Sequence, residues 1–79
     1  MEGNEFRKKR EEIEKICEDI DALVTVKSGE DANKKLKTAR DKINAVSAKE
    51  LSDIQKGSVF NLTIRVDHLA NSIDKINGA

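Results

Sequence analysis

Apolar residues along this chain recur at steps of three, four and seven. Phe6, Ile13, Ile16, Ile20 and Leu23 follow that rule, a spacing that keeps them on one stripe of an α-helix. With Asn4 as its cap, a first helix is predicted over about 5–26. Lys9 occupies the place in the stripe where an apolar residue would sit, so the first two turns are expected to fray or to rest against a partner. Glu5 with Lys9, and Glu11 with Lys15, stand four apart with the acid first, the favourable order for helix pairs. The run Val24-Thr25-Val26 then weakens helix propensity, and Gly29 is the expected C-terminal cap or turn residue.

Ser28 followed by Asp31 resembles a capping box with a shorter acid and opens a second helix over about 30–46. Its stripe is Ala32, Leu36, Ala39, Ile43 and Val46. Ser47 and Glu50 repeat the capping signal, so a third helix is predicted over 48–77, either separate or fused to the second as one long rod. Its seam runs Leu51, Ile54, Leu62, Val66, Leu69, Ile73 and Ile76, with Ser58 filling a gap, and Asn77-Gly78 ends it. The pattern as a whole predicts one all-α domain over 1–79, a small helical hairpin or three-helix bundle.

One segment carries a competing signal. Phe60-Asn61-Leu62-Thr63-Ile64-Arg65-Val66 alternates apolar and polar, as a half-buried strand does. Paired with Leu23-Val24-Thr25-Val26, it gives the alternative fold, a small α+β domain with strands near 23–27 and 59–66. Helix is favoured because the seam stays in phase on both sides, and because two strands alone are barely stable. A helix here has a consequence. At about 100° per residue, Leu62, Val66, Leu69 and Ile73 share one side, while Phe60 and Ile64 fall on the opposite side, beside Gly57. These three residues are the expected partner-binding face, covered by a second copy or by another protein. The plainer expectation is that Phe60 and Ile64 face the third helix of a compact bundle.

Composition narrows the class. At 79 residues the chain is one domain with a small core. Its lone Cys17 permits no internal disulfide and no site built on paired cysteines. Association, as a homodimer with coiled-coil-like helix packing, is therefore the expected source of extra stability. Fifteen basic residues balance fifteen acidic ones, which removes the long-range pull of a general nucleic-acid binder. There is no Pro to interrupt a helix and no Trp or Tyr, so platforms for stacking single-stranded bases are missing. The start of the chain lacks the basic and apolar runs of a secretion signal, and no apolar stretch approaches the roughly 20 residues needed to cross a bilayer. A cytoplasmic protein without membrane association is expected.

Catalytic chemistry finds little support. His68 is the only histidine, and Asp67 beside it points elsewhere on a helix. Cys17 lies among isoleucines, where an inert buried thiol is the default. Gly29 and Gly57 are isolated, not a phosphate loop, and the sequon Asn61-Leu62-Thr63 has no meaning without secretion. No catalytic residue, metal ligand, cofactor or small-molecule substrate is assigned. One basic cluster stands out. Lys34, Lys35, Lys37, Arg40 and Lys42 surround a single acid, Asp41, and were these residues to share the outward side of helix two they would form a footprint for nucleic acid or an acidic protein. The leading expectation is a helical interaction module (an adaptor, an inhibitor or a chaperone-like protein) acting through apolar helix faces. The alternative is a dimeric nucleic-acid-associated regulator using Lys34, Lys35, Lys37 and Arg40.

Overall fold

The structure, a computed structural model, describes residues 1–78. They form three helices: α1 over Gly3–Thr25, α2 over Gly29–Ser47 and α3 over Asp53–Asn77. Every helix touches the other two. The molecule measures 41 × 16 × 15 Å, and its long axis matches the length of α3, about 37 Å at a rise of 1.5 Å per residue.

The helix ends differ from the sequence reading, each for a local reason. α1 is capped by Glu2 rather than Asn4. The Glu2 carboxylate accepts the N–H groups of Asn4 and Glu5 at 3.0 and 3.1 Å, and these two bonds hold its carboxyl below the usual carboxylate range. Asn4 instead accepts a bond from the Arg7 guanidinium at 3.1 Å. The first turns, expected to fray, are helical, with Phe6 buried beneath them.

At the other end, Lys27 takes the left-handed conformation, φ 59°. Its N–H donates to the carbonyl of Val24 at 3.0 Å, and that of Ser28 donates to Leu23 at 2.8 Å. This pair of bonds is a Schellman motif. The position that favours glycine thus falls two residues before Gly29 and is filled by lysine. Gly29 begins α2, and a Cβ there would overlap the Asn77 side chain. Ser28 makes no cap bond to backbone; its hydroxyl donates to the Asp31 carboxylate at 3.0 Å.

Helices α2 and α3 are not fused, and the predicted box at Ser47 and Glu50 does not form. α2 runs through Ser47, and the same pattern five residues on, Ser52 with Gln55, makes the reciprocal capping box. The Gln55 N–H donates to Ser52 Oγ at 3.2 Å, and the Ser52 N–H to Gln55 Oε1 at 3.0 Å. The later start leaves residues 48–52 free to reverse the chain. Gln55 also donates to the Met1 carbonyl at 2.9 Å, and the Met1 ammonium donates to the Glu50 carbonyl. The start of α1 therefore lies beside the start of α3, and Asn77 lies beside Gly29, as an up-down-up order requires.

The core takes Phe6, Ile13, Cys17 and Ile20 from α1, Ala32, Ala39, Ile43 and Val46 from α2, and Val59, Leu62, Val66, Leu69 and Ile73 from α3. The centre of the α1 stripe passes through Cys17, leaving Ile16 and Leu23 only half-buried. Ala32 and Ala39 are fully buried, so α2 lies close against its neighbours. No strand occurs among the described residues. Residues 59–66 wind inside α3, with Val59, Leu62 and Val66 inward and Phe60 and Ile64 outward. The β-branched Thr63 satisfies its hydroxyl on the Val59 carbonyl at 3.0 Å, a bond that only a helical turn provides.

Candidate functional site

The expected partner-binding residues meet on one side of α3. Phe60 is 65% exposed and Ile64 39% exposed, which overturns the expectation that they face another helix of the bundle. A Cβ on Gly57 would meet no atom within 4 Å, so the glycine opens onto solvent. The sequence reading missed the fourth member of this surface. Ile54, expected on the inward seam, is 84% exposed. It lies roughly 90° around the helix from the mean direction of Leu62, Val66, Leu69 and Ile73 at about 100° per residue; Val59 fills the inward place instead. Residues three and four apart are neighbours on a helix surface. Gly57, Phe60 and Ile64 therefore share the outward side over about 10 Å at 1.5 Å per residue, and Ile54 adjoins Gly57 from the flank of the helix. The signal was present in the steps 54, 57, 60 and 64, but it was read as belonging to the seam.

Such a surface has a cost. A bulky apolar side chain left in water forfeits roughly 1.5–3 kcal/mol relative to full burial. Single exposed hydrophobes are ordinary, whereas Phe60 and Ile64 together on the outward side, with Ile54 on its flank, are more unusual. Charged and polar residues border this surface. Asp53 lies at its N-terminal end and His68 at its C-terminal end, both exposed, whereas Arg65 turns away to Asp21 of α1.

The basic cluster of α2 is dispersed by the fold. Lys35 pairs with Asp19 of α1 at 3.8 Å, and Lys42 with Glu12 of α1 at 3.4 Å. Arg40 turns the other way, to Asp67 of α3 at 3.1 Å. Lys34 and Lys37 are exposed without an ion pair among the described residues, and Asp41 is exposed one turn beyond Lys37. The five basic residues expected on one outward side are thus split among three directions. Each of these half-exposed pairs contributes under about 1 kcal/mol and serves mainly to fix helix rotation.

Cys17 is fully buried and His68 exposed, so the fold does not present them as a pair. Burial pushes the Cys17 thiol above its ordinary pKa, with the Arg65 guanidinium opposing. Among the described residues no group of three or more His, Cys, Asp or Glu is placed to hold a metal ion. Among the described residues no helix is long and apolar enough to cross a membrane. Hollows interrupt the surface of the described residues. One, of about 270 Å³, opens between α1 and α2 over Ile13 and Val46, with Lys9, Lys42 and Lys49 at its rim; it is the gap left where Lys9 breaks the apolar stripe. Another, of about 330 Å³, lies between α1 and α3 beside Arg10 and Arg65. Glu14 and Asp21 offset these two guanidiniums at 3.3 and 3.9 Å. Comparison with protein-family models, curated proteins and solved structures finds no match for the chain.

Proposed function

We propose that this chain is a small helical interaction module, an adaptor, inhibitor or chaperone-like protein without catalytic activity of its own. It binds a partner protein through the outward face of α3. The observation that carries this reading is the exposure of Phe60 and Ile64 on the side opposite the core, next to a glycine with open space above it. A helix whose inward side is already satisfied has no folding reason to place these side chains in water. The reading places the protein in the cytoplasm, in keeping with its free, buried thiol.

The nucleic-acid alternative needs Lys34, Lys35, Lys37 and Arg40 to act together, and the ion pairs of Lys35 and Arg40 count against it. The test is the double substitution Phe60→Asp with Ile64→Asp. Its far-ultraviolet circular dichroism should match the parent, because neither residue packs in the core. Photo-crosslinking from position 62's outward neighbour, Asn61, should capture in extract of the source cells a protein that the double variant no longer captures. A double variant that unfolds, or that captures the same protein equally well, refutes the reading.

A further inference from the structure

We infer that Asn77 is a modification site: it deamidates without an enzyme, and the packing of the end of α3 against the start of α2 sets how fast.

The reaction needs an asparagine side chain and a main-chain nitrogen able to reach it. The Gly78 nitrogen, once its proton has gone to base, attacks the side-chain carbonyl carbon of Asn77. A new C–N bond forms, the bond to Nδ2 breaks, and that nitrogen takes up a proton and leaves as ammonia. The cyclic imide then adds water at either of its carbonyls. Opening on one side gives aspartate. Opening on the other gives isoaspartate, in which the main chain runs through the side-chain carbons. Water is the one co-reactant, and nothing is oxidised or reduced.

Asn77 is the asparagine best suited to this chemistry. Of the six in the chain, it alone precedes glycine, which leaves the attacking nitrogen without a neighbouring side chain in the way. The other five lie within helices, each before a residue that carries a side chain. Asn77 is exposed and is the last residue of α3, and helix ends open far more readily than helix interiors.

Two contacts hold the reaction back in the folded chain. The Gly78 N–H donates to the Asp74 carbonyl at 2.7 Å, so this nitrogen must lose its acceptor before it can lose its proton. The Asn77 side chain lies so near Gly29 that a Cβ there would overlap its amide. The absence of a side chain at Gly29 is what makes room for it. The products alter this same corner. Aspartate brings a negative charge to the start of α2, where Glu30 and Asp31 already stand. Isoaspartate lengthens the main chain before Gly78 and disrupts the bond to Asp74.

Incubation of the full chain in mildly alkaline buffer, followed by peptide mapping and mass spectrometry, reads the conversion at each asparagine. Asn77 should convert before the others, with isoaspartate among its products. In the folded chain it should convert roughly two- to tenfold more slowly than in the same chain unfolded in guanidinium chloride, the factor that one net hydrogen bond supplies. Gly29→Ala displaces the Asn77 side chain and should speed conversion by about twofold or more over the folded parent, with circular dichroism unchanged. Conversion of another asparagine first overturns the inference, as does an Asn77 that stays intact in the folded chain while the unfolded chain converts fully. Equal rates in the folded and unfolded parent overturn the control by packing. A folded Gly29→Ala variant that converts no faster than the parent overturns the part given to Gly29; should that variant unfold, Gly29→Ser applies the same displacement with the same two outcomes.

Discussion

Gly57→Ala should make the isolated chain more stable. Gly57 lies inside α3, four residues after its start at Asp53, where glycine costs about 0.8–1.0 kcal/mol relative to alanine. The cost arises because an unfolded glycine has more backbone freedom to lose. Nothing opposes the gain, since the added methyl meets no atom within 4 Å. A domain of this length has a total stability of roughly 4–12 kcal/mol at 0.05–0.15 kcal/mol per residue, so one methyl group supplies between about a fifteenth and a quarter of it. At roughly 4–8 °C per kcal/mol for a small domain, the melting temperature should rise by about 3–8 °C. Urea denaturation followed by circular dichroism should show a higher midpoint with unchanged slope. Gly29→Ala is the internal control. There the new Cβ overlaps the Asn77 side chain, which must turn away, so the gain should be clearly smaller. A Gly57→Ala variant no more stable than the parent, or one that gains no more than Gly29→Ala, would refute the placement of Gly57 on an open face.

Lys27→Gly should stabilise the chain by about 1 kcal/mol, the cost of holding a side-chain-bearing residue in the left-handed region, read as a higher denaturation midpoint. Ser52→Ala removes one half of the α3 capping box and should cost about 1 kcal/mol, read in the same assay. Native Cys17 should resist alkylation by iodoacetamide until denaturant is added, because its side chain is fully buried. Its pKa is raised by burial, so the native state favours the neutral thiol. That contribution to stability is complete below the unfolded value of about 8.5 and is lost as pH rises through the higher folded value. Parent stability should therefore fall more steeply above about pH 8.5 than that of Cys17→Ala, and parallel pH profiles would refute the assignment.

The helical stripes were legible because they rest on spacing alone, which survives any arrangement of neighbours. The seam of α3 from Leu62 to Ile73 is where the periodicity placed it, and the outward direction of Phe60 and Ile64 follows from it. The errors fell where several local signals compete. Ser47 with Glu50 and Ser52 with Gln55 write nearly the same capping pattern, and only the need to reverse the chain over residues 48–52 decides between them. Gly29 advertised a helix end, but the bonds to Val24 and Leu23 fixed the left-handed residue at Lys27. Ile54 was assigned inward because it continued a spacing, although its phase falls between the two faces. The basic cluster of α2 failed for a different reason. Charge counted along the sequence ignores rotation about the helix, and it is rotation that sends Lys35, Lys42 and Arg40 to carboxylates on two different neighbours.

Both chain reversals are brief, over residues 26–28 and 48–52. Most of the core therefore assembles between helices that follow one another, and only the meeting of α1 with α3 closes a long loop. Architectures of such low contact order fold in microseconds to milliseconds. Closure waits for α3, the last helix to be made, so the apolar faces of α1 and α2 stay open throughout synthesis and are covered only once the chain is complete.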